Sequence, residues 1–389
     1  MEKIPASKIS TGYAYVDTAQ SLARLTGRLK DASRVAIDTE ADSLHHYFEK
    51  VCLIQLSFSG LNYIIDPLGG FSLGEFLKVL SQKELIIQGA NYDIRLLKKT
   101  FGFRPGAPIF DTMLAAQLLG YEKIGLAALV ERFFGISMSK SAQKADWSQR
   151  PLSERLLTYA SDDTKYLETI ADAMTGELQK LDRMAWHREC CERVVKTSIL
   201  PDKNEEKEAW RVKGSSRLSS QELVFVRELW KWRDEEARKK DCPAFRIFKN
   251  EDLIELAQWC VKNPKSQLSQ GPVFLKRLAG EKPAQLENVM RSAGLIPQKE
   301  WPLPPERMDW AAYDRIDKRK LEPLLAACKS RAKELQIDSS ILASRSVLTA
   351  VSQHEPGSIE EAIEVSGMMR WQAEVMMPVI HVWRAKLKE

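Results

Sequence analysis

The chain has 389 residues, more than one hydrophobic core ordinarily serves, so two or three domains of roughly 100 to 200 residues each are expected. Hydrophobic residues make up 44% and charged residues 29%, which excludes a disordered or fibrous chain. Lys and Arg number 58 against 53 Asp and Glu, a net +5 that permits an anionic partner without demonstrating one. No run approaches the ~18 to 20 apolar residues of a membrane span, and Met1 to Pro5 lead into polar sequence rather than a signal-peptide stretch. A cytoplasmic protein without a membrane partner is expected. The six cysteines show no CxxC and no zinc-like spacing with the five histidines, so they read as reduced structural thiols.

Three short β-branched runs come early: Val35 to Asp38, Val51 to Phe58 and Tyr63 to Asp66, bounded by turn formers such as Gly60, Asn62 and Pro67. Their tight spacing predicts an antiparallel meander. Helical periodicity follows over Phe71 to Leu80, then a buried strand at Leu85 to Ile87 and a helix from Tyr92 through Lys99. Strands giving way to alternating helices and strands predict an α/β domain, a mixed sheet flanked by helices.

From Thr112 onward the pattern is helical, clearest over Leu126 to Phe134 and Ser153 to Leu181, with Ser153 as an N-cap. The polar stretch Pro201 to Lys207 reads as a linker, and Pro297, Pro302, Pro304 and Pro305 cannot lie inside one helix. The expected domains are therefore 1–202, 203–298 and 299–389, the last two small all-α bundles. Residues 1–200 hold 25 basic and 24 acidic side chains, so four of the five excess positive charges fall in the helical remainder.

Asp38 and Glu40 end the first predicted strand, and side chains two apart on a strand share a face. An Asp at a strand end is also an ordinary turn former, so this pair needs company to carry meaning. Asp93 stands in the first turn of a predicted helix, where an acid also complements the helix dipole. Tyr159 and Asp163 are four apart and share a helical face, whereas Asp162 points elsewhere. Asp111 reads as a helix cap. Four carboxylates from separate elements are costly to gather without cations between them, and hard oxygen ligands suit Mg²⁺ or Mn²⁺. Two such ions stabilise both the attacking and the leaving oxygen of a phosphodiester, and a tyrosine hydroxyl beside them can position the water or help to deprotonate it.

The segments Val35-Ala36-Ile37-Asp38-Thr39-Glu40, Gly89-Ala90-Asn91-Tyr92-Asp93-Ile94-Arg95-Leu96-Leu97 and Asp146-Trp147-Ser148-Gln149-Arg150-Pro151-Leu152, the last followed by Tyr159-Ala160-Ser161-Asp162-Asp163, resemble in order and spacing the ribonuclease D family of the DEDD superfamily. The resemblance implies a ribonuclease-H-like exonuclease domain in which Asp38, Glu40, Asp93 and Asp163 ligate two divalent cations, Mg²⁺ or Mn²⁺, and Tyr159 positions the attacking water. Tyrosine rather than histidine at 159 implies the tyrosine subclass. The helical segments Ala209 to Gly214, Leu229 to Ala237 and Cys242-Pro243 resemble the HRDC module, and Leu321 to Trp383 resembles a weaker second copy.

The activity so implied is 3′→5′ hydrolysis of RNA 3′ ends, tRNA precursors and other structured RNA among them, releasing nucleoside 5′-monophosphates. No GxxxxGK[ST] loop occurs, so no ATP is involved, and no obligate protein partner is implied. Expected backbone contacts are Arg150, Lys231, Arg238, Lys239, Lys240, Arg246 and Lys249, against the plainer reading of a charged run as a solvated face. Trp147, Trp230 and Trp232 are expected to pack rather than stack on bases. Rival readings are a DNA 3′→5′ exonuclease and a noncatalytic RNA-binding scaffold.

Overall fold

The computed structural model describes residues 3–5, 12–139, 142–200, 208–277, 282–304 and 317–387. The predicted linker at 201–207 and Pro305 lie outside the described residues. Two compact units emerge, one of Met1–Asp42, Lys50–Leu200 and Ile316–Glu389, the other of Ser43–Glu49 and Pro201–Arg315.

The first unit is built on a six-stranded sheet: β1 (Ala14–Val16), β2 (Arg34–Ala41), β3 (Val51–Phe58), β4 (Leu61–Ile65), β5 (Glu84–Ile87) and β6 (Ile109–Asp111), in the order β1-β4-β3-β2-β5-β6. β2, β3 and β4 form the expected antiparallel meander, while β1, β5 and β6 add in parallel. Every residue of β3 is buried, as a central strand covered on both faces requires.

On one face lie α1 (Ala19–Asp31), α2 (Gly74–Leu80) and α3 (Asn91–Phe101), whose Leu25, Leu29, Phe76 and Ile94 pack on Val35, Ile37, Ile54 and Leu56. The other face receives α4 (Thr112–Leu118), α5 (Leu126–Phe134), α6 (Glu154–Asp162) and α7 (Leu167–Lys180), and α8 (Met184–Ser198) closes the series. β1 and α1 are not among the elements expected above: the strand has only three residues, while α1 opens on a reciprocal Thr18–Ser21 cap and buries a stripe of Leu22, Leu25 and Leu29.

The predicted helix from Ser153 to Leu181 is broken into α6 and α7. Thr164, in the break, bonds through its buried hydroxyl to Ser57 of β3 at 2.7 Å, so a sheet contact replaces helix continuity and leaves Asp163 as the C-cap of α6.

The last helices, Lys318–Glu334, Arg345–His354, Ile359–Ser366 and Arg370–Lys386, belong to this unit and share one hydrophobic core with α4, α5 and α7. Trp186 of α8 stacks on Trp371 at 4.6 Å. The Glu189 carboxylate accepts from the backbone N–H groups of Arg370 (2.5 Å) and Trp371 (3.0 Å), capping the last helix from a neighbouring one. Arg183 donates to the carbonyls of Leu118 and Leu335 at 2.6 Å each.

The second unit packs the helices Ser220–Lys239, Asn250–Lys262 and Lys282–Gly294 around Trp210, Leu223, Leu229, Trp232, Leu253 and Leu286. Trp232 is buried and stands 5.5 Å from Phe248, which is the packing role expected of it. The segment 43–49, which joins β2 to β3 along the chain, is held here: Tyr47 Oη donates to Asp234 at 2.8 Å, and the Tyr47 backbone N–H donates to Asp241 at 3.1 Å.

Candidate metal centre

Strand periodicity sets the first two candidate ligand positions. Asp38 and Glu40 project from one face of β2, and the pairing of β2 with β3 shifts register between Glu40 and Ala41, so the ladder is irregular where the second carboxylate is delivered. Asp163 arrives from the end of α6. Asp38, Glu40 and Asp163 each offer a carboxylate oxygen, and these atoms all lie within 4.8 Å of one another.

Asp93, in the first turn of α3, is buried and accepts from the Thr39 hydroxyl at 2.6 Å. Thr39 lies between the two β2 carboxylates, so the strand that supplies Asp38 and Glu40 also holds Asp93, which stands outside the group of Asp38, Glu40 and Asp163 that meets within 4.8 Å.

The charges are mutually unfavourable. Burial, reinforced by Asp93, Asp163 and Glu40, holds the Asp38 carboxyl well above the usual carboxylate range. Burial, with Asp163 and Asp93, pushes Glu40 up to about 9. Burial and then Asp162 and Asp93 raise Asp163 to about 7. Asp93 rises to about 6 through burial, partly offset by the bond from Thr39. Clustered carboxylates with few compensating donors are what a hard divalent cation requires and a stable metal-free core does not. The donor set therefore fits the group that the fold implies.

Tyr159 shares the α6 face with Asp163. Burial, then Asp163, Glu40 and Asp38, raise its hydroxyl pKa above the ordinary value of 10.0, so the phenol is an O–H donor at neutral pH. Its ring lies 6.0 Å from Trp147, which is 1% exposed.

Besides Thr39, Asp111 holds Asp93 in place through contacts that no local sequence pattern shows. Asp111 caps α4 through the N–H groups of Met113 (2.9 Å) and Leu114 (3.2 Å), and also accepts from Gly89 (3.0 Å) and Ala90 (2.8 Å). It thereby fixes the turn that launches α3 and Asp93. Gly89 takes φ +78°, and a Cβ there would meet Met113 at 3.1 Å. Asp111→Ala leaves four N–H groups, that of Ala90 buried and the others partly so, short of an acceptor and is expected to lower stability by roughly 3 kcal/mol. An unchanged urea-unfolding midpoint would contradict that role.

Arg150 is engaged within the fold. Its Nε and one Nη donate to Asp66 at 2.6 and 2.8 Å, and the remaining N–H groups donate to the carbonyls of Trp147, Gln149 and Cys52. All five donors are directed at protein oxygens, so in this structure the guanidinium buttresses the loop ahead of α6 instead of facing outward to a phosphate.

The other basic candidates belong to the second unit. Lys231 pairs with Glu228 at 2.9 Å, Arg238 donates to Tyr47 at 3.3 Å, Lys239 pairs with Glu236 at 3.3 Å and Arg246 donates to the Leu44 carbonyl at 3.0 Å. The Lys249 backbone N–H donates to Asp252 at 2.9 Å, and Lys240 lies against Lys282.

Comparison with known proteins agrees with this geometry. The 3′-5′ exonuclease family model matches residues 13–179, and the HRDC domain model matches residues 222–269. Ribonuclease D of Pseudomonas paraeruginosa is 29% identical over 354 residues, covering 88% of this chain and 91% of that protein. Ribonuclease D of Sphingobium indicum is 32% identical over 264 residues, 66% of each chain. The crystal structure of Escherichia coli RNase D, described as an exoribonuclease involved in structured RNA processing, superposes with a TM-score of 0.72 at 22% identity, covering 96% of this chain and 99% of that one.

A mixed sheet carrying clustered carboxylates at a strand end and a helix end defines the class: a divalent-cation 3′→5′ exonuclease with an HRDC module. Within that class, the chain belongs to the ribonuclease D family.

Proposed function

We propose that this 3′→5′ exoribonuclease holds two divalent cations, Mg²⁺ or Mn²⁺, and trims structured RNA 3′ ends, tRNA precursors among them, to release nucleoside 5′-monophosphates. The observation that carries the reading is the convergence of Asp38, Glu40 and Asp163 within 4.8 Å, with Asp93 tied to the same strand through Thr39. When bound, the cations supply an activated water and neutralise charge on the phosphate.

The side chains supply the rest. Asp38, Glu40, Asp93 and Asp163 hold the cations, and Thr39 and Asp111 keep Asp93 in place. The Tyr159 hydroxyl orients the attacking water. Tyr159→Phe removes that hydroxyl but keeps the ring against Trp147, so kcat is expected to fall about 100-fold with little change in KM. Equal activity of the phenylalanine variant would remove the tyrosine from the mechanism.

For substrate delivery we propose the 203–298 module, through Lys231, Arg238, Lys239, Lys240, Arg246 and Lys249. Backbone contacts by such residues are electrostatic and independent of sequence. Digestion of a 3′-extended tRNA with and without Mg²⁺, read at nucleotide resolution beside a DNA strand of the same sequence, tests the whole reading. Stepwise loss of 3′ nucleotides from the RNA alone supports it, and equal attack on the DNA would favour the broader exonuclease.

A further inference from the structure

Gln55 of β3 is 0% exposed, and neither atom of its amide has a hydrogen-bond partner among the described residues. A buried amide left unmet is costly. The other buried polar side chains of this sheet are satisfied: Thr39 bonds to Asp93, Ser57 to Thr164 and Asn62, and Asp66 to Arg150.

The register gives the reason for looking further. Gln55 is the direct cross-strand partner of Asp38 on one side and of Ile64 on the other, and opposed residues of an antiparallel pair stand on the same face of the sheet. Ile64 packs with Trp147 and Ala160 of α6, with Tyr159 against the same cluster. Two residues along β3 and on that same face, Ser57 holds Thr164, the neighbour of Asp163. The unmet amide thus lies beside Asp38, beneath the helix that carries Tyr159 and Asp163. A leucine or methionine would fill that volume without the cost, and such departures from a well-satisfied core cluster at functional sites.

We infer that Gln55 is a positioning residue of the metal centre, its amide N–H donating to the Asp38 carboxylate once that carboxylate is drawn onto a divalent cation. The inference rests on the metal-centre reading above. Carboxylate ligands are themselves held by hydrogen bonds from outside the ligand set, and loss of such a partner weakens cation binding without removing a ligand.

The test uses the full chain and the variants Gln55→Leu and Asp38→Ala. Mg²⁺ affinity is measured by calorimetry without RNA, unfolding is followed in chelator, and the rate of mononucleotide release is taken against Mg²⁺ concentration. Gln55→Leu is expected to bind Mg²⁺ about 10- to 100-fold more weakly, to melt no lower than the parent in chelator, and to regain its rate as Mg²⁺ is raised. Affinity within about twofold of the parent, or a lower melting point in chelator, would make Gln55 a structural residue and overturn the inference. Asp38→Ala separates the two levels: if it still binds Mg²⁺ and cleaves, the metal-centre reading itself fails. If it loses both while Gln55→Leu keeps both, only the role of Gln55 fails.

Discussion

Replacing Asp38 or Asp163 by alanine is expected to lower mononucleotide release by roughly 10⁴-fold while the protein stays folded, since a lost ligand forfeits several kcal/mol of transition-state charge stabilisation. The second half of that expectation follows from the electrostatics. Asp38 is held well above the ordinary carboxylate range by burial and by Asp93, Asp163 and Glu40, so in the absence of cations its charge opposes the fold. Removing it relieves repulsion, and Asp38→Asn, which keeps the shape, should melt in chelator at or above the parent temperature. The measurement is a paired one, cleavage of a labelled RNA and thermal unfolding of the same preparation. A variant that cleaves at the parent rate sinks the assignment. One that loses activity only in proportion to lost folded protein would return the carboxylate to a structural role. RNA binding retained by the inactive variants would show that substrate is held by other residues, and binding without cleavage by the parent would favour the scaffold reading.

The parts of this site that were legible in the sequence are those fixed by local periodicity. Asp38 and Glu40 share a face because a strand alternates, and Tyr159 and Asp163 because a helix repeats near four. What local pattern cannot carry is the partner across space. Thr39 reads as an ordinary β-branched strand residue, and only the arrival of α3 makes its hydroxyl the hydrogen-bond donor to Asp93. Asp111 reads as a cap, which it is, but its two further bonds to Gly89 and Ala90 come from a turn more than twenty positions earlier in the chain.

The same limit explains the fold. The meander and its flanking helices follow from alternation and turn chemistry. The shared core of the last helices with α4, α5 and α7 depends on long-range contacts such as Trp186 on Trp371, and a helical stripe does not reveal which neighbour will cover it. Arg150 illustrates the converse: a basic residue before a catalytic helix invites a phosphate, yet its planar fork is matched by Asp66 and three carbonyls inside the fold.

The metal-free protein is expected to lose stability as pH rises, and added Mg²⁺ to reverse the trend. Glu40 is raised from 4.5 to about 9, Asp163 from 3.8 to about 7 and Asp93 from 3.8 to about 6. Each is therefore raised in the folded state relative to the unfolded chain. Between those limits the folded protein retains protons that the unfolded chain has released, so the slope of unfolding free energy with pH is negative. The contribution is fully present below the unfolded values and is lost as pH passes through the folded ones, successively near 6, 7 and 9. A bound cation competes with those same protons, so its stabilisation grows with pH by mass action. Melting temperatures taken in chelator and in excess Mg²⁺ across this window should diverge, the first falling and the second holding level or rising. Glu40→Gln should flatten the chelator curve most at its alkaline end, where Asp93 and Asp163 have already released their protons, and the Mg²⁺ concentration for half-maximal activity of the parent should fall as pH increases. A chelator curve that rises through the window, or a Mg²⁺ shift that ignores pH, would mean that the carboxylates are not the groups the cation displaces protons from.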